Sequence, residues 1–153
     1  MFVSELSQFP LFQDLDAEVL RLVDRLVTPC EFQGGQVIFA QGSQANFLYI
    51  VVQSEVVVRF KPYDGPEMTV ARLALGDVFG WSAALGRKSY TSSAISLTDS
   101  CAYRISGSEL HRVCQQHPTS GNVIMERLAG VIAERIRRGH TGICTILTQA
   151  RDI

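Results

Sequence analysis

The alternation of apolar and polar positions divides the chain into three stretches. Between residues 15 and 27, apolar side chains recur at Val19, Leu20, Leu22, Val23, Leu26 and Val27. That is the spacing of one helix face, with Asp14 or Asp16 placed to cap it. Ahead of it, Phe9-Pro10-Leu11-Phe12 reads as a tight entry turn. From Thr28 to Ile105 the period shortens. Runs of Val, Ile, Phe and Tyr alternate with turn groups at Gly34-Gly35, Gln41-Gly42-Ser43, Tyr63-Asp64-Gly65-Pro66, Gly76-Asp77 and Thr98-Asp99-Ser100. Strands at this spacing, unaccompanied by long helices, predict a β-sandwich or jelly roll. Asp64-Gly65, between 56–61 and 68–73, is the clearest hairpin signal.

After Ile105 the helical period returns. Ser106 and Glu109 make a Ser-x-x-Glu capping box before Leu110, Val113 and Cys114, and this helix should stop near His117-Pro118. A second helix over 119–138 carries Ile124, Leu128, Val131, Ile132 and Ile136 on one side. Gly139-His140-Thr141-Gly142 is expected to interrupt it before a short apolar tail at 143–147. The pattern predicts one mixed α+β, mainly β domain over 1–153. It has a helical start (1–27), an eight-stranded jelly-roll-like β-barrel (28–105) and C-terminal helices (106–147).

Composition narrows the function. With 153 residues, 46% hydrophobic and 19% charged, the chain is an ordinary globular domain able to bury a core. A net charge of −1 and the lack of a long basic stripe argue against direct nucleic-acid binding. Apolar runs such as 47–52 are too short for a membrane span. The first residues show no basic-then-apolar leader, so a cytoplasmic location is expected. Cys30, Cys101, Cys114 and Cys144 form no C-x-x-C pair and fit no zinc or iron–sulfur spacing; reduced, mostly buried thiols are expected. His111, His117 and His140 all fall in the helical part, leaving the barrel no histidine for a cupin-type metal site. His111 and Cys114 read as a surface histidine beside a buried thiol. There is no Ser-His-Asp arrangement, Walker loop or paired carboxylate cluster, so a non-enzymatic domain with no metal and no required cofactor is expected. Arg135, Arg137, Arg138 and His140 sit at the expected end of the second helix, where cations offset its macrodipole.

The most informative stretch is Leu75-Gly-Asp-Val-Phe-Gly-Trp-Ser-Ala-Ala-Leu85 with Gly86-Arg-Lys-Ser-Tyr-Thr-Ser-Ser-Ala94. It reads as a strand, a Gly-Asp turn, a very short helix, a polar loop and another strand. A helix entered through glycine presents unpaired N–H groups at its first turn, a cradle for an anion. This spacing resembles the phosphate-binding cassette of the cyclic nucleotide-binding domain, the sensor module of the cyclic AMP receptor protein (CRP/FNR-like) family. Two other segments resemble that family: 32–43, like its Gly and Gln-Gly opening, and 48–56, like its central strand and turn, with Ser54 where the family has glycine.

The resemblance implies a regulatory small-molecule sensor whose effector is a cyclic nucleotide. In the family a Glu takes the ribose hydroxyl, an Arg neutralises the cyclic phosphate, and backbone N–H groups with a hydroxyl beside the Arg complete the cradle. Here Phe79 and Gly80 match, but Trp81 stands at the Glu position and Tyr90 at the Arg position. The candidate ligand residues are therefore Phe79, Gly80, Trp81, Ser82, Ala83, Tyr90, Thr91 and Ser92. Weak or absent binding of cyclic AMP and cyclic GMP is expected, because the charge-assisted bidentate pair is lost. Three outcomes stay open. Trp81 and Tyr90 fill the pocket. Or they form a wall for a planar or apolar effector, oriented by the Tyr90 and Thr91 hydroxyls. Or Arg87 or Lys88 swings inward and a cyclic nucleotide still binds. The resemblance further implies a homodimer through the 119–138 helix, with Leu128, Val131 and Ile132 as candidate lid or dimer residues. Two alternatives are a ligand-free dimerisation or interaction domain, and the effector domain of a transcription regulator without its helix-turn-helix part.

Overall fold

The computed structural model describes residues 3–53 and 55–151, with side chains for 5–53 and 55–137. A short helix α1 (Val3–Leu6), a 3-10 turn (Pro10–Phe12) and α2 (Ala17–Leu26) precede the strands. Asp16 is the residue that caps α2, its carboxylate accepting from the Glu18 N–H at 3.2 Å. Asp14 instead takes a left-handed φ of 57° in the turn before it.

Eight strands follow: β1 (Val27–Phe32), β2 (Val37–Phe39), β3 (Phe47–Gln53), β4 (Val56–Phe60), β5 (Met68–Leu73), β6 (Val78–Phe79), β7 (Ser93–Ser96) and β8 (Ser100–Ser106). They form two four-stranded antiparallel sheets in the orders β1-β8-β3-β6 and β2-β7-β4-β5. The expected strand number holds, and so does the Asp64-Gly65 hairpin, since β4 pairs with β5. The expected barrel closure does not: no ladder joins the two sheets among the described residues. The turn that carries Ser54 lies outside the described residues.

Strand β3 shows why the chain folds in layers. Leu48 and Ile50 enter a core shared with Phe12, Val23, Leu110 and Leu128, on the helical side of the first sheet. Tyr49 and Val51 enter a second core, between the sheets, with Phe39, Val56, Leu73, Phe79 and Tyr90. Successive strand side chains point to opposite faces, so a strand buried on both reads as an unbroken apolar run.

Helix α3 (Gly107–Gln116) is capped by Ser106, whose hydroxyl accepts from the Glu109 N–H at 3.4 Å. Helix α4 starts at Pro118 and continues to Arg151, 34 residues. The expected break at 139–142 is absent. Glycine costs a helix only about 1 kcal/mol each relative to alanine, and no proline follows to remove a ladder hydrogen bond. The expected apolar tail at 143–147 is thus part of the same helix. Arg127 ties α4 to the 3-10 turn, its guanidinium donating to the carbonyls of Pro10, at 3.1 Å, and of Gln13. Cys30, Cys101 and Cys114 are free thiols, half-buried rather than enclosed. Burial pushes the Cys30 and Cys114 thiols up.

Candidate functional site

The segment after β6 does not form a regular helix. Gly80 takes a left-handed φ of 73°, and a Cβ there would meet the Phe47 carbonyl at 3.0 Å and the Phe39 and Tyr49 rings at 3.2 Å. Only glycine turns the chain this tightly against β3. Residues 81–86 then wind as successive turns. Ala83 N–H donates to Gly80 O at 3.3 Å, Ala84 N–H to Trp81 O at 2.9 Å, and Leu85 N–H to Trp81 O at 3.1 Å. The Ala83 N–H expected to face a ligand is therefore spent inside the turn. Ala83 itself is buried, with its carbonyl under Gly107, where a Cβ would lie 2.2 Å from that oxygen. It packs under α3 and does not line the cavity that the other candidate residues share.

The other seven candidate residues do converge. Phe79, Gly80, Trp81, Ser82, Tyr90, Thr91 and Ser92 all line one cavity of about 340 Å³. Phe39 forms its floor, Val58 and Phe60 from β4 and Val70 and Ala71 from β5 form a wall, and Arg135 and Ile136 of α4 close the mouth. Its size is at the lower end of small-molecule pockets, which run to roughly 300–1,000 Å³.

Tyr90 is built into the core rather than standing free at the cavity surface. The ring is 4% exposed and stacks on Phe39 with centroids 3.7 Å apart and planes 13° off parallel. Its O–H donates to the Phe47 carbonyl at 2.6 Å, and the same oxygen accepts from the Phe47 N–H at 3.0 Å. The hydroxyl is thus engaged with β3, while the ring lines the cavity. Burial pushes the Tyr90 phenol up, partly offset by its bond to Phe47. Tyr49, deeper in the same cluster, is pushed up to about 12 by burial first and by Tyr90 second.

Inward movement of Arg87 or Lys88 is opposed by the backbone of the loop. Ala45 N–H donates to Lys88 O at 2.9 Å, Tyr90 N–H to Ser43 O at 3.0 Å, and Gly42 N–H to Tyr90 O at 2.8 Å. Both side chains are exposed, and Arg87 lines a different groove, beside His111 and Met125.

Helix α4 places a cation over Trp81. Arg135 is 9% exposed, with its guanidinium carbon 5.0 Å from the centre of the Trp81 ring, within cation–π range. The macrodipole role expected for it is overturned, since α4 continues well past it to Arg151. Arg138 and His140, of the same expected cluster, have side chains outside the described residues. Leu128 is fully buried in the helical core and Val131 and Ile132 pack against it. The residues of α4 over the cavity are Arg135 and Ile136 instead. Sequence reading also missed Phe39, Val58, Phe60, Val70 and Ala71. Alternation along β4 and β5 could have sorted their faces, but no local signal places Arg135 opposite Trp81.

A family model described as the cyclic nucleotide-binding domain matches residues 29–117. Over 142 residues the chain is 25% identical to the CRP-like cAMP-activated global transcriptional regulator of Mycobacterium tuberculosis, a match that covers 93% of this chain and 62% of that protein. The chain thus spans about three fifths of that relative's length. A solved Geobacter metallireducens chain described as a cyclic nucleotide-binding protein superposes with a TM-score of 0.79 at 24% identity, over 89% of this chain and 98% of that one. The catabolite activator protein of Thermus thermophilus gives 0.72 at 24% identity, over 90% of this chain and 62% of that one. Likeness to these two structures speaks to the fold.

Proposed function

Because the chain belongs to the cyclic nucleotide-binding domain family, we propose that it is a regulatory small-molecule sensor with an altered pocket, one that binds cyclic AMP and cyclic GMP weakly or not at all. The observation that carries this reading is Tyr90. Its buried ring is locked to Phe47, and by the resemblance it stands where the family's arginine would reach a cyclic phosphate. A bidentate guanidinium–phosphate pair is among the stronger polar contacts available to a binding site, and its loss removes most of the charge term. The domain acts by binding, needs no cofactor or metal, and works in the cytoplasm. No helix among the described residues is long and apolar enough to cross a membrane.

Occupancy is read out through α4, which contributes Arg135 and Ile136 to the cavity mouth. The same helix joins two copies of the chain. Ile136 is 60% exposed, and the sequence sets Ile132, Ile136, Gly139, Ile143 and Ile146 at alternating four- and three-residue steps. That is the seam of a two-stranded coiled coil. This pattern also favours the second reading, a dimerisation domain whose old pocket is filled. In either case the domain makes no direct contact with nucleic acid, and it can serve as the effector part of a longer transcription regulator.

Titration of cyclic AMP and cyclic GMP, followed by fluorescence of Trp81, the chain's single tryptophan, tests the proposal. No saturable change is expected at micromolar nucleotide, and saturable micromolar binding would overturn it. In the Trp81→Glu, Tyr90→Arg double variant, calorimetry should register a gain of cyclic nucleotide binding if the cassette backbone still forms a cradle.

A further inference from the structure

Apolar and aromatic side chains, among them Phe39, Val58, Phe60, Val70, Phe79 and Trp81, make up most of the cavity wall. Among the described residues, no carboxylate lines it. Arg135, at its mouth, is stacked on Trp81 and has a further interaction of its own, so its charge is already engaged. The Tyr90 hydroxyl is engaged too, at Phe47. Ser82 differs. It is 4% exposed and lines the cavity, yet its hydroxyl has no hydrogen-bond partner among the described residues. A hydroxyl taken from water without a partner is costly, and buried ones are rarely left so. An apolar chamber with one such group has the form of a site for an uncharged ligand, anchored at a single polar point.

We infer that the effector is an uncharged, flat, mainly apolar molecule with one hydrogen-bonding group, of the hydroxyarene kind, anchored by the Ser82 hydroxyl with its ring among Phe39, Phe79 and Trp81. This rests on reading the cavity as an effector pocket. Aromatic walls suit a planar ring, through offset or edge-to-face packing. A charged ligand would be desolvated there with no free counter-charge to receive it. In the inferred arrangement, the ligand spans from Trp81 and Ser82 on the cassette turn to Ile136 on α4, all of which line the cavity. Occupancy then reaches the helix through apolar contact rather than through charge.

The test is calorimetric titration of the full chain, at neutral pH, with 2-naphthol, 2-naphthoate, 2-naphthylmethylammonium and cyclic AMP. Saturable 2-naphthol binding is expected, at least roughly tenfold tighter than that of either charged analogue. Ser82→Ala should weaken 2-naphthol about two- to tenfold, the scale of one neutral hydrogen bond. It should leave the affinity for naphthalene, measured by equilibrium dialysis, unchanged. The same substitution should keep or raise Tm, because it removes a hydroxyl with no internal partner; a lowered Tm would mark the serine as structural and overturn the anchor. If a charged analogue binds as tightly as 2-naphthol, or if Ser82→Ala weakens 2-naphthol and naphthalene alike or neither, the assignment is overturned and the effector-pocket reading stands. Displacement of 2-naphthol by micromolar cyclic AMP would overturn the assignment and the weak-nucleotide reading together. Absence of binding by every probe would overturn the pocket reading and the assignment with it.

Discussion

Tyr90 and Phe47 are 43 residues apart in the chain and are joined through both polar groups of one peptide position: the phenol donates to the Phe47 carbonyl and accepts its N–H. The link fastens the loop before β7 to the edge of β3, and it places a neutral ring in the floor of the cavity.

Removing that hydroxyl leaves the stack on Phe39 but strands two half-buried backbone groups. Tyr90→Phe should therefore lower stability by about 1–3 kcal/mol, measured by urea unfolding. An unchanged midpoint would mean that water replaces the phenol at no cost.

The two buried phenols set an alkaline limit. Below pH about 10 both are protonated in the folded and the unfolded chain alike. Above it the unfolded chain gives up its phenolic protons first, because Tyr49 is held up to about 12 and Tyr90 is also raised in the fold. The folded state then binds more protons than the unfolded one, so stability is present at lower pH and falls as pH climbs toward 12, by up to ~1.4 kcal/mol per pH unit for each such tyrosine. Tyr49→Phe should flatten this decline in a series of unfolding curves from pH 9 to 12, roughly the interval in which phenols titrate.

Gly107 opens α3 directly beneath the cassette turn. An added Cβ would meet the Ala83 carbonyl oxygen at 2.2 Å and its carbon at 2.5 Å, both backbone atoms that cannot swing aside. Gly107→Ala should cost about 3 kcal/mol, the upper part of the usual range for overpacking, visible as a lowered Tm. It should also weaken any ligand of the cavity, because the turn carrying Trp81 and Ser82 must shift.

Leu128 and Ile136 should behave oppositely although both lie on α4. Leu128 is fully buried in the helical core, so Leu128→Ala should destabilise the fold by about 2–5 kcal/mol. Ile136 is largely exposed, so Ile136→Asp should leave thermal stability of the separated chains nearly unchanged while converting a dimer to a monomer in light scattering.

The layered fold was legible because its causes are local. Turn residues at regular intervals, the unbroken apolar run of β3 and the two polar caps, Asp16 and Ser106, each encode an element through short-range sterics or hydrogen bonding. The candidate site was legible to the extent that one segment builds it, and seven of eight expected residues meet in the cavity. Ala83 lies outside the cavity because the turn tightens on itself and buries that residue under Gly107. Leu128 belongs to the core, and Val131 and Ile132 pack half-buried against it. The residues over the cavity are the next ones along the helix.

By itself, then, the sequence determined most of the element order, the family resemblance and the segment that builds the candidate site. Tertiary structure alone decided which distant residues meet there. The Tyr90 hydroxyl bonds to a strand 43 residues away, and Arg135 meets Trp81 across 54 positions of chain. Neither contact leaves a trace in local propensity or spacing, because one depends on how the loop before β7 folds against β3 and the other on how α4 packs beside Trp81.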